Sequence, residues 1–146
     1  MTDKCNFMAG IVRVELAPAW GIERLRRAGG KVVNIELSEG AGWVQMGSVT
    51  AEYSETSENG DAVNRKLKCV LPISEGSNVL EGVKVLEGDR WVVRMTDGRG
   101  VQWIIGDEQE PLALTWSRDN EGEASGRDEV AVYLAGEGRW GAMEMG

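Results

Sequence analysis

Val49-Thr50-Ala51-Glu52-Tyr53 and, past Ser57-Glu58-Asn59-Gly60-Asp61, Val63-Asn64-Arg65-Lys66-Leu67-Lys68-Cys69-Val70-Leu71-Pro72-Ile73 decide the fold of this chain. In the first run Val49, Ala51 and Tyr53 alternate with Thr50 and Glu52. In the second, Val63, Arg65, Leu67, Cys69, Leu71 and Ile73 take every second place. A period of two sends alternate side chains to opposite faces of a strand, so each run reads as a half-buried strand. Asn59-Gly60 between them is a strong hairpin signal, because both residues tolerate the positive φ of a type I′ turn. A long hairpin around 46–73 follows, with Glu55, Glu58, Asn59, Gly60 and Asp61 near its tip. A tip this polar is expected to project beyond its sheet and to meet a partner.

The same alternation recurs on both sides. Val12, Val14 and Leu16 form one run ending at Ala17-Pro18, and Val33, Ile35 and Leu37 form another. Trp91, Val93 and Met95 lead through Thr96-Asp97-Gly98-Arg99-Gly100 to Val101, Trp103 and Ile105, a second hairpin with Asp97 capping the turn. Leu112, Leu114 and Trp116 make a further strand, and Val130, Val132 and Leu134 the last, with 118–128 as a polar loop between them. Two segments read as helical. Val79, Leu80, Val83 and Leu86 recur at spacings of three and four after Ser74 or Ser77, a possible cap. Ile22, Leu25 and Ala28 suggest a short helix or structured loop from Trp20, closed by Gly29-Gly30.

Strands that arrive as hairpins pair antiparallel. The expectation is a mainly β chain, an antiparallel β-sandwich or partly closed barrel with one or two short flanking helices. The 146 residues suit one β-rich domain, 1–146. The tail keeps Trp140, Met143 and Met145 and is expected to pack. Cys5 and Cys69, without an export signal, are expected to be free, buried thiols.

Composition excludes more than it assigns. No basic segment followed by an apolar stretch opens the chain, so no signal peptide is expected, nor any membrane association. The net charge is −8, and from Asp107 to Glu129 there are eight carboxylates against two arginines. That balance disfavours sequence-specific nucleic-acid binding, which draws on neutralised phosphates. Histidine is absent, which removes the commonest general base and the usual zinc and copper ligand.

The carboxylates Asp107, Glu108 and Glu110 are expected to be solvated, so that replacing them should leave folding intact. Asp119, Asn120, Glu121, Glu123 and Asp128 are oxygen donors, but Gly122 misses the sixth position of an EF-hand loop and a solvated loop is favoured. Gly136-x-Gly138-x-x-Gly141 matches the dinucleotide fingerprint as a string, yet no helix follows it. No catalytic residue, metal ligand or cofactor is therefore assigned, and the chain is read as no enzyme. Trp91, Trp103 and Trp116 share register with aliphatic neighbours and belong to a core. Trp20, Trp43 and Trp140 are better placed for an interface. Arg24, Arg26 and Arg27 form a small basic cluster, a solvated face or a contact for an acidic partner.

Arg90-Trp91-Val92-Val93-Arg94-Met95-Thr96-Asp97-Gly98-Arg99-Gly100-Val101-Gln102-Trp103-Ile104-Ile105-Gly106 leads into Glu110-Pro111-Leu112, and Glu129-Val130-Ala131-Val132-Tyr133-Leu134 completes a pattern. It resembles small β-rich structural proteins of phage and prophage virions, of the tail-tube or tail-associated kind. The hairpin from Glu52 to Arg65 is similar to the long loop of tail-tube subunits. The resemblance implies a subunit that assembles with itself into a homo-oligomeric ring or tube, and with other virion proteins. It implies a virion protein made in the bacterial host cytoplasm, with an acidic lumen along which DNA slides. Two other readings stay open: a ligand-binding module of the carbohydrate type, and an acidic inhibitor or DNA mimic.

Overall fold

The structure, a computed structural model, describes residues 10–46, 50–58, 60, 62–73, 78–120 and 128–146. It is mainly β, with antiparallel sheets and one short α-helix, and the sheets do not close into a barrel. In chain order the elements are β1 (Ile11–Pro18), a 3₁₀ turn (Ala19–Gly21), β2 (Ile22–Ala28), β3 (Lys31–Leu37) and β4 (Val44–Gln45). Then come β5 (Thr50–Glu58), β6 (Ala62–Pro72), α1 (Val79–Leu86), β7 (Arg90–Asp97) and β8 (Gln102–Ile105). β9 (Leu112–Asn120), β10 (Asp128–Gly138) and β11 (Met143–Glu144) complete the chain.

One hydrogen-bonded sheet of nine strands doubles over at β7. β7 carries β1 along one edge, while its other edge is shared by β8, opposite Val93–Thr96, and β9, opposite Arg90 and Trp91. The sheet therefore forks. One half reads β4-β1-β7-β8-β11 and the other β9-β10-β6-β5, and a sandwich results. The inward alternation reads Val14 and Leu16 on β1, Met95 and Val93 on β7, Leu67, Cys69 and Leu71 on β6, and Val130, Val132 and Leu134 on β10. These side chains, with Trp91 and Trp103, form the main core. Leu16, Val93, Met95, Leu67, Val132 and Leu134 are each at 0% exposure, which contributes on the order of 1.5–3 kcal/mol per side chain.

The first half is covered on its other face as well. On β1 the residues Val14, Glu15, Leu16 and Ala17 are buried in succession, because the β2–β3 hairpin lies over the face opposite the main core. Ala17, Val92 and Ile104 meet Ile22 and Val32 there, with Leu25, Ile35, Leu37, Trp43, Met143 and Met145 around them. Strands buried on two sides lose their alternation, as β1, β7 and β8 do.

β2 corrects the helical expectation for Trp20–Ala28. Its pairing with β3 shifts register between Ile22 and Arg24 and again between Arg26 and Arg27. The first shift puts an extra residue in β2 and sets Ile22 and Leu25 three apart, which imitates a helical period; the second puts its extra residue in β3. Gly29 and Gly30, both at positive φ (62° and 77°), close a tight hairpin rather than a helix. The long hairpin of β5 and β6 is present, with Thr50 opposite Val70 and Glu58 opposite Ala62. However, β10 accompanies β6 as far as Val63, paired with Gly138. The tip therefore reaches little beyond its sheet, against the expectation of a projecting arm.

The expected loop 118–128 is also shorter, since β9 runs to Asn120 and β10 begins at Asp128. An Arg118–Asp128 ion pair spans the two strand ends. Residues 121–127, with Glu121, Gly122 and Glu123, lie outside the described residues, as do the Ser74 and Ser77 cap candidates, Cys5, Asn59 and Asp61. Cys69 is a free thiol, and burial pushes its pKa up to about 12. Among the described residues no helix is long and apolar enough to cross a membrane.

Candidate functional site

The chain's polar side chains converge at the end of the sandwich where β5 and β6 turn. Arg65 follows the inward alternation of β6 and is 2% exposed. Its Nε donates to the carbonyl of Gly136 (3.0 Å), one Nη to that of Glu110 (3.0 Å) and the other to that of Trp140 (3.4 Å). One buried guanidinium thus ties β6 to β10, to the segment before β9 and to the C-terminal tail. Burial lowers its pKa, although an arginine stays charged through such a shift.

Glu55 stands on the inward face of β5. Its Oε1 accepts from the Tyr53 hydroxyl (2.7 Å) and from the backbone N–H of Ala142 (2.9 Å). Burial, followed by the nearby Glu55 charge, pushes the Tyr53 hydroxyl pKa well up. Asp107, 8% exposed, accepts from the backbone N–H groups of Gln109 (2.9 Å) and Glu110 (2.7 Å) and pairs with Arg27 (3.1 Å). The Arg27 guanidinium lies over the Trp140 ring, 5.2 Å from its centre. Glu110 accepts from the backbone N–H of Arg139 (2.8 Å). Between these groups is a cleft of about 180 Å³ lined by Ala62, Glu110, Glu137, Gly138 and Arg139.

The string Gly136-x-Gly138-x-x-Gly141 acquires a physical meaning here. A Cβ on Gly138 would stand 2.7 Å from the Arg65 guanidinium, and one on Gly136 would stand 3.0 Å from the Pro111 carbonyl oxygen. At Gly141 a Cβ would meet the Glu55 carboxylate. All three glycines let the tail lie flat on buried polar groups.

Of the residues expected to bind a partner, Arg27, Glu55 and Trp140 are brought together, and Arg27 and Glu55 are committed to bonds within the fold. Trp140 keeps 38% of its surface exposed. Arg24 and Arg26 are exposed on β2, opposite Glu36 and Asn34. Gly60 is exposed in the turn. Glu58 ends β5 in the ladder. Asp107 corrects the expectation of solvated carboxylates, because its side chain caps a turn and anchors a cation. Asp107→Ala is accordingly expected to cost about 1–3 kcal/mol in a denaturant titration, by stranding two backbone donors and Arg27.

A second carboxylate is more deeply engaged. Asp97, 1% exposed, accepts from the backbone N–H groups of Arg99 (2.9 Å) and Val101 (3.2 Å), from the Arg99 guanidinium (2.9 Å) and from the Trp103 indole (3.1 Å). Burial alone would raise its pKa. The bonds from Arg99, Trp103 and Val101 outweigh it and hold the carboxyl well below the usual range. A depressed folded pKa contributes stability that is complete above the unfolded value of about 4 and is lost as the pH falls towards the folded value. The stability gap between the native chain and Asp97→Asn is expected to be full at pH 7 and to shrink below about pH 4, as read by thermal unfolding across pH.

The remaining tryptophans are held by the fold. Trp91 donates to the Leu86 carbonyl (2.9 Å) at the end of α1, and Trp116 to Glu87 (3.0 Å). Trp43 stacks on Arg94, 4.2 Å from its ring centre, while Arg94 forks onto Glu15 at 2.9 and 3.0 Å. Trp20 is 64% exposed and donates to Asp89 (3.0 Å). Among the described residues no group of three or more Cys, Asp or Glu side chains is placed to hold a metal ion. No protein-family model matches the chain, and neither a curated protein nor a solved structure shows significant similarity to it.

Proposed function

We propose that the chain is a non-enzymatic structural subunit of a phage or prophage virion, tail-tube or tail-associated, that assembles with copies of itself and with other virion proteins. The observation that carries the reading is the placement of β5. It is nine residues long and stands outermost in its half of the sandwich, and no described strand pairs with its outer edge. An unpaired ladder of backbone donors and acceptors is a template for strand addition. The end of the molecule beside it is stiffened by the Arg65 and Glu55 bonds, so an added strand meets a rigid border. The negative charge suits a surface that passes DNA without holding it.

Trp91 and Trp103 are buried and bonded within the fold, so the carbohydrate reading would rest on the exposed Trp20 and Trp140. Negative-stain electron microscopy of the concentrated, purified chain tests the proposal. Rings or tubes of regular width are expected. A field of single small particles at every concentration would overturn self-assembly.

A further inference from the structure

β5 is a long edge strand that lacks several of the usual protections. Native edges are blunted by proline, by lysine and other charged side chains, by inward-pointing charges, by bulges or by brevity, and of these β5 has only the charges of Glu52, Glu55 and Glu58. Thr50-Ala51-Glu52-Tyr53-Ser54-Glu55-Thr56-Ser57-Glu58 contains no proline, glycine or lysine and pairs with β6 without a register shift. Its outward residues Thr50, Glu52, Ser54 and Thr56 are exposed, and its inward Tyr53 is buried. Threonine and serine on a flat edge favour cross-strand pairing.

We infer that β5 pairs antiparallel with β5 of a second copy of this chain, with Ser54 opposite Ser54 of the second copy. The inference rests on the self-assembly reading and names one contact within it: a two-fold pair closes at the dimer, and rings or tubes are built from such pairs through a second surface. Symmetry restricts the register. When two identical edges extend one sheet about a two-fold axis, each residue meets one of the same parity, so a residue always faces itself at the axis. Centring on Glu52 or Glu55 sets like charges opposite each other, which destabilises a ladder. Centring on Ser54 pairs all nine residues and sets Glu52 against Thr56, Tyr53 against Glu55 and Ala51 against Ser57. Glu52 also lies beside Lys68 of its own β6 and Glu55 beside Arg65, so these two carboxylates at the junction have a cation within their rows. The product is a continuous eight-stranded sheet running β9-β10-β6-β5 and then β5-β6-β10-β9 of the second copy.

A cysteine scan tests this in a Cys5→Ser background, where the remaining native thiol, Cys69, is fully buried. Antiparallel partners have Cα atoms about 4.5 or 5.5 Å apart, within the range that a disulfide spans. Ser54→Cys is expected to oxidise to a covalent dimer as the major species. Thr56→Cys, displaced from its own copy by four residues or about 13 Å, is expected to stay below a tenth of that yield. Equal yields at both positions, or none at either, would overturn the register. No cross-link from Ser54→Cys while microscopy still shows rings would sink the β5 pairing and leave self-assembly standing. A monomeric, uncross-linked chain with no rings would remove both.

Discussion

Arg65→Met is expected to lower the unfolding free energy by about 3–5 kcal/mol, read from urea or guanidinium titration at pH 7. Replacing a buried charge by an apolar group is often cheap, but only where its partners can be removed with it. Here the partners are the main-chain carbonyls of Gly136, Glu110 and Trp140, which stay wherever the fold stays. Three part-buried acceptors would each lose a charge-assisted bond, and three chain segments would lose their common tie. Methionine fills most of the volume, so the loss measures hydrogen bonding more than a cavity. A change below about 1 kcal/mol would mean that water replaces the guanidinium without cost.

Gly138→Ala is the second large effect, expected at about 2–3 kcal/mol by the overpacking of a filled site. An added methyl would stand 2.7–2.9 Å from the guanidinium of Arg65. The end of a long side chain usually yields to such a clash. Arg65 is held by three carbonyls and cannot yield without breaking them. The cost should therefore depend on the arginine: in an Arg65→Met background, Gly138→Ala should add less than half of its single-variant effect. That non-additivity is the signature of residues in contact. Full additivity would show that the glycine is needed for some other reason.

The sequence carried the sheet-forming elements plainly. β5 and β6 alternate without interruption around Asn59-Gly60, and β7 and β8 around Asp97-Gly98, so both hairpins were legible. β2 was not, because the bulge after Ile22 sets Ile22 and Leu25 three apart and imitates a helical period. The site was half legible. Arg65 occupies an inward slot between Val63 and Leu67, which already marks a buried cation, but its partners are backbone carbonyls that no pattern of residue types announces. The glycine string was visible, and its purpose was not, since a packing glycine and a phosphate-binding glycine look alike until the neighbouring segment is known. Asp107 read as one of three solvated carboxylates because nothing local distinguishes the one that caps a turn.

Light scattering of the native chain across a concentration series tests the central claim most directly. The β5 pair predicts a mass that doubles as concentration rises, and the ring- or tube-forming subunit a mass that grows further through a second surface, returning towards the single-chain value of 15.9 kDa on dilution. A mass fixed at 15.9 kDa up to millimolar concentration would contradict the account and leave the β5 edge without an intermolecular role.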